Sequence, residues 1–230
     1  MTGFLYPFLD AEERDQDGLL RDLTASAVAK AAESAALRES TVEANRELIA
    51  AAAAEMARRF AAGGRMFAFG NGGSSTDVAT LVALFARPPV GDPLPAWSLA
   101  ADQAILTALG NDVGFDLVFA RQLIARAGPG DIAVAMSTSG SSRDLMAGFR
   151  EARARGMYTV GFAGYDGGEF VTSPDVDVCF TVRSQSVHRI QEAQALVGYA
   201  LWTAVHEGAV TSPTTITAPV PAAPPAGEHS

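Results

Sequence analysis

The chain has 230 residues, a formal charge of −9 and a single cysteine, Cys179. The acidity argues against a broad nucleic-acid footprint, one cysteine excludes an intrachain disulfide and disfavours a cysteine-based zinc site, and an apolar share of 48% suffices for a substantial core. No apolar run reaches the ~18 residues that span a bilayer, and Met1–Asp10 lacks a basic start and a long apolar core, so the expectation is a cytoplasmic α/β domain with appendages and no membrane partner.

Residues 1–18 are a mixed segment in which Phe4, Tyr6, Phe8 and Leu9 are possible anchors. From Leu19 to Ala62 the chain is rich in Ala, Glu, Arg and Leu and free of Gly and Pro. Leu20, Leu23, Val28, Leu37, Val42, Leu48, Ile49, Met56 and Phe60 recur at helical intervals. The pattern predicts two helices broken near Arg38–Thr41, with one long helix as the alternative. Gly63-Gly64 ends the run, so residues 19–63 form a helical region.

Strand and helix then alternate. Strands are predicted over Arg65–Phe69, Ala96–Leu99, Asp131–Met136, Tyr158–Ala163 and Val176–Val182. Helices are predicted over Ser75–Ala86, with Ser74 or Ser75 as N-cap, and over Asp102–Leu109, Phe115–Ala127, Ser142–Arg155 and His188–Glu207. Gly110-Asn111-Asp112 separates two of these helices, and Gly164–Gly168 reads as a turn. The alternation implies βαβ units, a parallel sheet, and ligand loops at the carboxyl ends of the strands. Residues 64–208 thus form the main domain. Residues 209–230, rich in Pro, Ala and Thr, read as a disordered tail.

Two hydroxyl-rich glycine loops stand out, Gly70-Asn71-Gly72-Gly73-Ser74-Ser75 and Ser137-Thr138-Ser139-Gly140-Ser141-Ser142. Each follows a short apolar run and precedes a helix. Such a corner offers free backbone N–H groups and the positive end of a helix dipole, which bind an anion without net positive charge. Two corners in one domain suggest a phosphorylated small molecule. An ordinary helix cap needs one serine, and the second loop carries far more hydroxyls than that.

Phe-Gly-Asn-Gly-Gly-Ser (69–74), Gly-Asn-Asp (110–112), Ser-Thr-Ser-Gly-x-Ser (137–142), Gly-Tyr-Asp-Gly-Gly (164–168) and Arg-Ile-Gln-Glu (189–192) occur in this order. Together they resemble the sugar isomerase (SIS) domain, and within it the phosphoheptose isomerase group, over about residues 20–207. The resemblance implies a flavodoxin-like parallel sheet flanked by helices, an N-terminal helical pair used in assembly, a homo-oligomer, usually a tetramer, and ligand sites between subunits. It implies that Asn71, Gly72, Gly73 and Ser74 meet the sugar phosphate, and that Asn111 and Asp112 reach the sugar. Ser137, Thr138, Ser139 and Ser142 would cradle the phosphate, and Gln191 would touch the sugar from the last helix.

Aldose–ketose isomerisation needs groups that move protons between carbon and oxygen. In the phosphoheptose isomerase group the resemblance implies a Glu and His residues that also bind zinc with the Gln. Counted from the motifs, those positions fall here on Thr80, Leu84 and Tyr199, and only Gln191 of the zinc ligands remains. No metal cofactor is therefore expected. Other groups open to proton transfer are His188 and Glu192, one helical turn apart, and Asp112; a polar pair on a solvated helix start is the plainer account of the first two. His206 near a helix end has a dipole role as its plain account, and His229 falls in the tail.

Three readings follow. The first is a phosphosugar-binding sensor or adaptor without zinc isomerase activity, as in the family's non-catalytic relatives that associate with the initiator DnaA, with a protein rather than DNA as partner. The second is an isomerase of sedoheptulose 7-phosphate or a similar sugar phosphate using His188, Glu192 and Asp112. The third is a non-catalytic subunit of a hetero-oligomer with another SIS protein.

Overall fold

The computed structural model describes residues 16–210, and the anchors expected in 1–15, His229 and the tail from 211 onward lie outside the described residues. Two helices, α1 (Gln16–Ala44) and α2 (Arg46–Ala61), lead into β1 (Met66–Gly70), α3 (Gly73–Ala86) and β2 (Ala96–Ser98). Next come α4 (Gln103–Asp112), a 3₁₀ turn (Phe115–Leu117), α5 (Val118–Arg126), β3 (Ile132–Met136) and α6 (Arg143–Ala154). β4 (Tyr158–Gly164), α7 (Gly168–Thr172), β5 (Val178–Val182) and α8 (Val187–Val210) complete the order.

The five strands are all parallel and lie in the order β2-β1-β3-β4-β5. This is the expected flavodoxin-like sheet. The direction of winding reverses between β1 and β3, and in open parallel sheets ligands bind outside the carboxyl ends of the strands at that switch point. Gly70 pairs with Met136, so both hydroxyl-rich loops leave the sheet side by side at one level.

Alternate strand residues face opposite layers, as the pleat requires. Met66, Ala68, Val134, Met136 and Phe162 pack with Met56 and Phe60 of α2, Val78, Leu81 and Phe85 of α3, and Val197, Leu201 and Val205 of α8. Phe67, Phe69, Ala133 and Ala135 face Phe119 and Leu123 of α5 and Leu145 and Phe149 of α6. Phe69 sits with its ring centroid 5.2 Å from that of Phe119 and 5.6 Å from that of Phe149. Burying such phenyl groups contributes about 2 kcal/mol each.

The structure corrects several expectations. The first helical break falls at Asn45 and not near Arg38–Thr41, because Leu37 packs on the small cluster of Val182, Ile190 and Ala193 and Thr41 is buried, so tertiary contact carries α1 through that stretch. Gly110-Asn111-Asp112 is the final turn of α4, not a separator. The true interruption is Gly114, at φ 94°, just before the 3₁₀ turn. Gly168, expected to close a turn, instead starts a short helix over Gly168–Thr172. Neither Ser74 nor Ser75 caps α3: Gly72 is its N-cap, and the Ser75 hydroxyl donates back to the Gly72 carbonyl at 2.7 Å.

Candidate functional site

At the end of β1 the chain turns through Asn71 and Gly72 into α3. Gly72 adopts φ 53°, ψ −126°, a conformation that favours glycine, and no side chain caps the helix. Of the first N–H groups of α3, that of Ser75 donates to the Gly72 carbonyl at 3.0 Å, and those before it lie at the open helix start. A Cβ on Gly73 would lie 2.6 Å from Nε2 of Gln191, so α8 reaches across onto the loop.

At the end of β3 the loop is tied internally. The buried Ser137 hydroxyl accepts the Gly140 N–H at 3.0 Å, the Ser139 hydroxyl receives the Ser141 N–H at 3.4 Å, and the Ser141 hydroxyl receives the Glu169 N–H at 3.0 Å. Ser142 is the N-cap residue of α6, in extended backbone, and its side chain makes no capping bond. Among the described residues the hydroxyls of Ser74, Thr138 and Ser142 have no hydrogen-bond partner, in contrast to those of Ser75, Ser137 and Ser141. A hydroxyl held beside an uncapped helix start without a protein partner is available to an oxyanion.

Three side-chain links absent from the sequence reading tie the corner together. Asn71 donates from Nδ2 to Asp144 Oδ2 at 2.7 Å, and Asp144, in the first turn of α6, is 4% exposed. Gln191 donates from Nε2 to Asp77 Oδ2, also at 2.7 Å. Gln194 donates to the Ser137 carbonyl at 2.9 Å, and its Oε1 is buried without a partner. Gln191 and Gln194 stand three residues apart on α8, so one helix face touches both loops. Burial raises the Asp77 carboxyl above its ordinary pKa, against the opposing pull of the Gln191 amide. Asp144 is a first-turn acid of α6, an ordinary helix preference that hides its use here, and Asp77 lies just past the first turn of α3.

The remaining site residues lie elsewhere. Asn111 and Asp112 occupy the exposed last turn of α4 and bond to each other at 2.8 Å, with no hydrogen bond to either loop. His188 is exposed and without a hydrogen-bond partner among the described residues. Glu192 does not pair with it. The Glu192 carboxylate accepts from the Ser34 hydroxyl and lies 3.9 Å from Arg38 Nη1, so α1 engages it. Both border a cleft of about 550 Å³ between α1 and α8 that also holds Lys30 and Arg189.

At the positions counted for a zinc site, Thr80 is exposed and donates to the Thr76 carbonyl at 3.1 Å, Leu84 packs against the core, and Tyr199 is 51% exposed beside Trp202. A hydrocarbon side chain offers no lone pair, so this set does not fit a tetrahedral zinc. Among the described residues no three His, Cys, Asp or Glu side chains converge as a metal-ligand group. Cys179 is partly buried in β5, and burial pushes its thiol up to about 11, away from the reactive thiolate.

A parallel sheet whose switch point carries two glycine-rich corners, bridged by the last helix, defines an open α/β protein of the flavodoxin-like type. Its particular family follows from comparison. The family model described as SIS domain matches residues 31–164, and the chain belongs to that family. A phosphoheptose isomerase of Solidesulfovibrio magneticus is 43% identical over 175 residues, covering 74% of this chain and 82% of its own. One from Roseiflexus sp. is 41% identical over 169 residues, covering 72% and 84%. The solved phosphoheptose isomerase of Neisseria gonorrhoeae aligns with a TM-score of 0.73 at 31% identity, covering 80% of this chain and 99% of that one. The chain is therefore similar to the phosphoheptose isomerases in sequence and in fold.

Proposed function

We propose that this protein binds a sugar phosphate across the two strand-end corners and does not perform zinc-dependent aldose–ketose isomerisation. One contrast carries the reading. The β1 and β3 corners offer uncapped helix starts with partnerless hydroxyls at Ser74, Thr138 and Ser142, while the positions counted for zinc and proton transfer hold Thr80, Leu84 and Tyr199. The likeness to phosphoheptose isomerases supports a sugar phosphate as ligand, with Asn71, Gly72, Gly73, Ser137, Thr138, Ser139, Ser142 and Gln191 around it. In this reading the protein is a cytoplasmic sensor or adaptor whose partner is another protein. Among the described residues no helix is long and apolar enough to cross a membrane. Exposed Leu19, Leu20, Leu23 and Val28 on α1 support assembly through the helical region, as a homotetramer.

The test is phosphorus and proton NMR of the protein with sedoheptulose 7-phosphate in heavy water, with and without zinc. The expected result is ligand broadening with no new aldose signal and no deuterium entering next to the carbonyl. Conversion or exchange would overturn the reading.

A second reading keeps the activity of the relatives and is favoured by Asp77. It is a half-buried carboxyl of raised pKa on the face of α3 that also carries positions 80 and 84, and it touches Gln191. In that case Asp77→Asn abolishes deuterium exchange, and so would changes at His188, Glu192 or Asp112 if those groups took part.

A further inference from the structure

We propose a second anion site at the opposite end of the sheet, in a cleft of about 320 Å³ that takes phosphate or a small phosphate monoester through Arg58 and Arg65. The cleft lies where α2 ends and β1 begins. Its walls are backbone, Gly63-Gly64 on one side and Gly128-Pro129-Gly130 on the other, closed by Gly156. The two loops approach so closely that a Cβ on Gly64 would sit 2.5 Å from the Gly130 carbonyl oxygen. The N–H groups of these walls are already bonded within the protein, so the donors left to a ligand are the guanidinium groups.

Three guanidinium groups line this space, and they are not equivalent. Arg59 is committed to the fold: its Nε donates to Glu55 at 2.6 Å and its Nη1 to the carbonyls of Asp131 and Gly156 at 3.1 and 3.3 Å. Arg58 holds only Glu55, through Nε and Nη2 at 2.8 and 2.7 Å. Arg65 holds Asp131 and the Arg126 carbonyl through Nε and Nη2. The Nη1 groups of Arg58 and Arg65 have no partner among the described residues.

The nearby carboxylates are already engaged. Glu55 is held by Arg58 and Arg59 and pulled down to about 2. Asp131, its side chain 5% exposed, accepts from Arg65 and from the Gly128 N–H at 2.9 Å. Three positive charges thus meet two saturated negative ones, in a chain whose formal charge is −9. A concave, backbone-walled space with surplus guanidinium donors suits an oxyanion, and the volume matches the lower end of small-ligand sites, roughly 300 Å³.

The test is a titration of the deuterated, ¹⁵N-labelled full chain with inorganic phosphate at constant ionic strength, followed by amide and arginine Nε signals. The expected result is movement of Gly63, Gly64, Gly128 and Gly130 and of Arg58 Nε. Arg58→Gln weakens that response about tenfold, the loss of one charge-assisted contact. Arg58 is exposed, so the variant keeps its spectrum elsewhere, and the amides of Gly72, Gly73 and Gly140 respond as in the unaltered chain. Cleft amides that stay still, that answer equally to chloride, or that keep their affinity in Arg58→Gln would overturn the inference. Silence at the strand-end loops with movement in the cleft would instead count against phosphosugar binding and leave the second site standing.

Discussion

The two ends of this sheet use the same materials, glycine turns and helix termini, with opposite polarity. At the carboxyl ends of β1 and β3 the turns run into the uncapped starts of α3 and α6, so helix N-termini and hydroxyls gather there. At the amino ends of β1, β3 and β4 the turns follow the ends of α2, α5 and α6, where carbonyls collect and the dipole is negative. The cations are concentrated there: Arg58 and Arg59 in the last turn of α2, Arg126 in that of α5, Arg153 in that of α6. An anion at the first end needs no charged side chain, whereas an anion at the second needs guanidinium groups beyond those that offset the helix ends. Binding at the first end should therefore survive salt better than binding at the second.

The comparison breaks most sharply at Asp131. Replacing this buried acceptor by alanine removes the carboxylate partner of Arg65, leaves two backbone N–H groups unpaired and should lower unfolding free energy by about 3 kcal/mol, read by denaturant melts. Phosphosugar affinity at the folded protein's loops should stay within about twofold, since additivity holds for distant sites. The converse variant combines Ser74→Ala, Thr138→Val and Ser142→Ala. Because these hydroxyls have no protein partner, thermal stability should be unchanged, while calorimetric affinity for the sugar phosphate falls about a hundredfold. An equal loss of stability would mean that the hydroxyls serve the fold.

Smaller effects sharpen the picture. Gln191→Leu removes the α8 contact to Asp77 and Gly73 and should weaken sugar phosphate binding about tenfold without touching the arginine cleft. The sign at Asp77 is that of an acid made harder to ionise: its burial is a cost to the native state once pH rises above the ordinary aspartate range. Asp77→Asn should therefore be at least as stable as the unaltered chain at neutral pH. Glu55 has the opposite sign. Its carboxyl is held down to about 2, so its contribution persists at neutral pH and is lost as pH falls from about 4.5 to about 2. Glu55→Gln should flatten the acid limb of the stability curve by a small amount, because Arg58, the first of the two arginines it holds, is largely solvated.

Much of this was legible in the residues. Five-residue apolar runs that end in glycine and serine turns, such as Ile132–Met136, read as strands buried on both faces, and their alternation with helices points to a parallel sheet. The loops were legible because glycine and serine at a strand end have a local meaning. Asn111 and Asp112 were misplaced, since an exposed helix tolerates an internal glycine and nothing local marks α4 as continuing past Gly110. Asp144 and Gln194 went unread because each matters only through a partner distant in the chain, 73 residues away at Asn71 and 57 away at Ser137.

The sequence by itself determined the sheet class, the two hydroxyl-rich glycine corners and the absence of imidazole and carboxylate groups at 80, 84 and 199, because periodicity, turn chemistry and residue identity are local properties. Only the tertiary structure decided that Glu192 answers to Ser34 and Arg38 rather than His188, that α8 bridges both loops, and that three arginines gather in one cleft beneath β1. Those are juxtapositions across the fold, set by how α1, α2 and α8 pack on the sheet, and no local pattern encodes them.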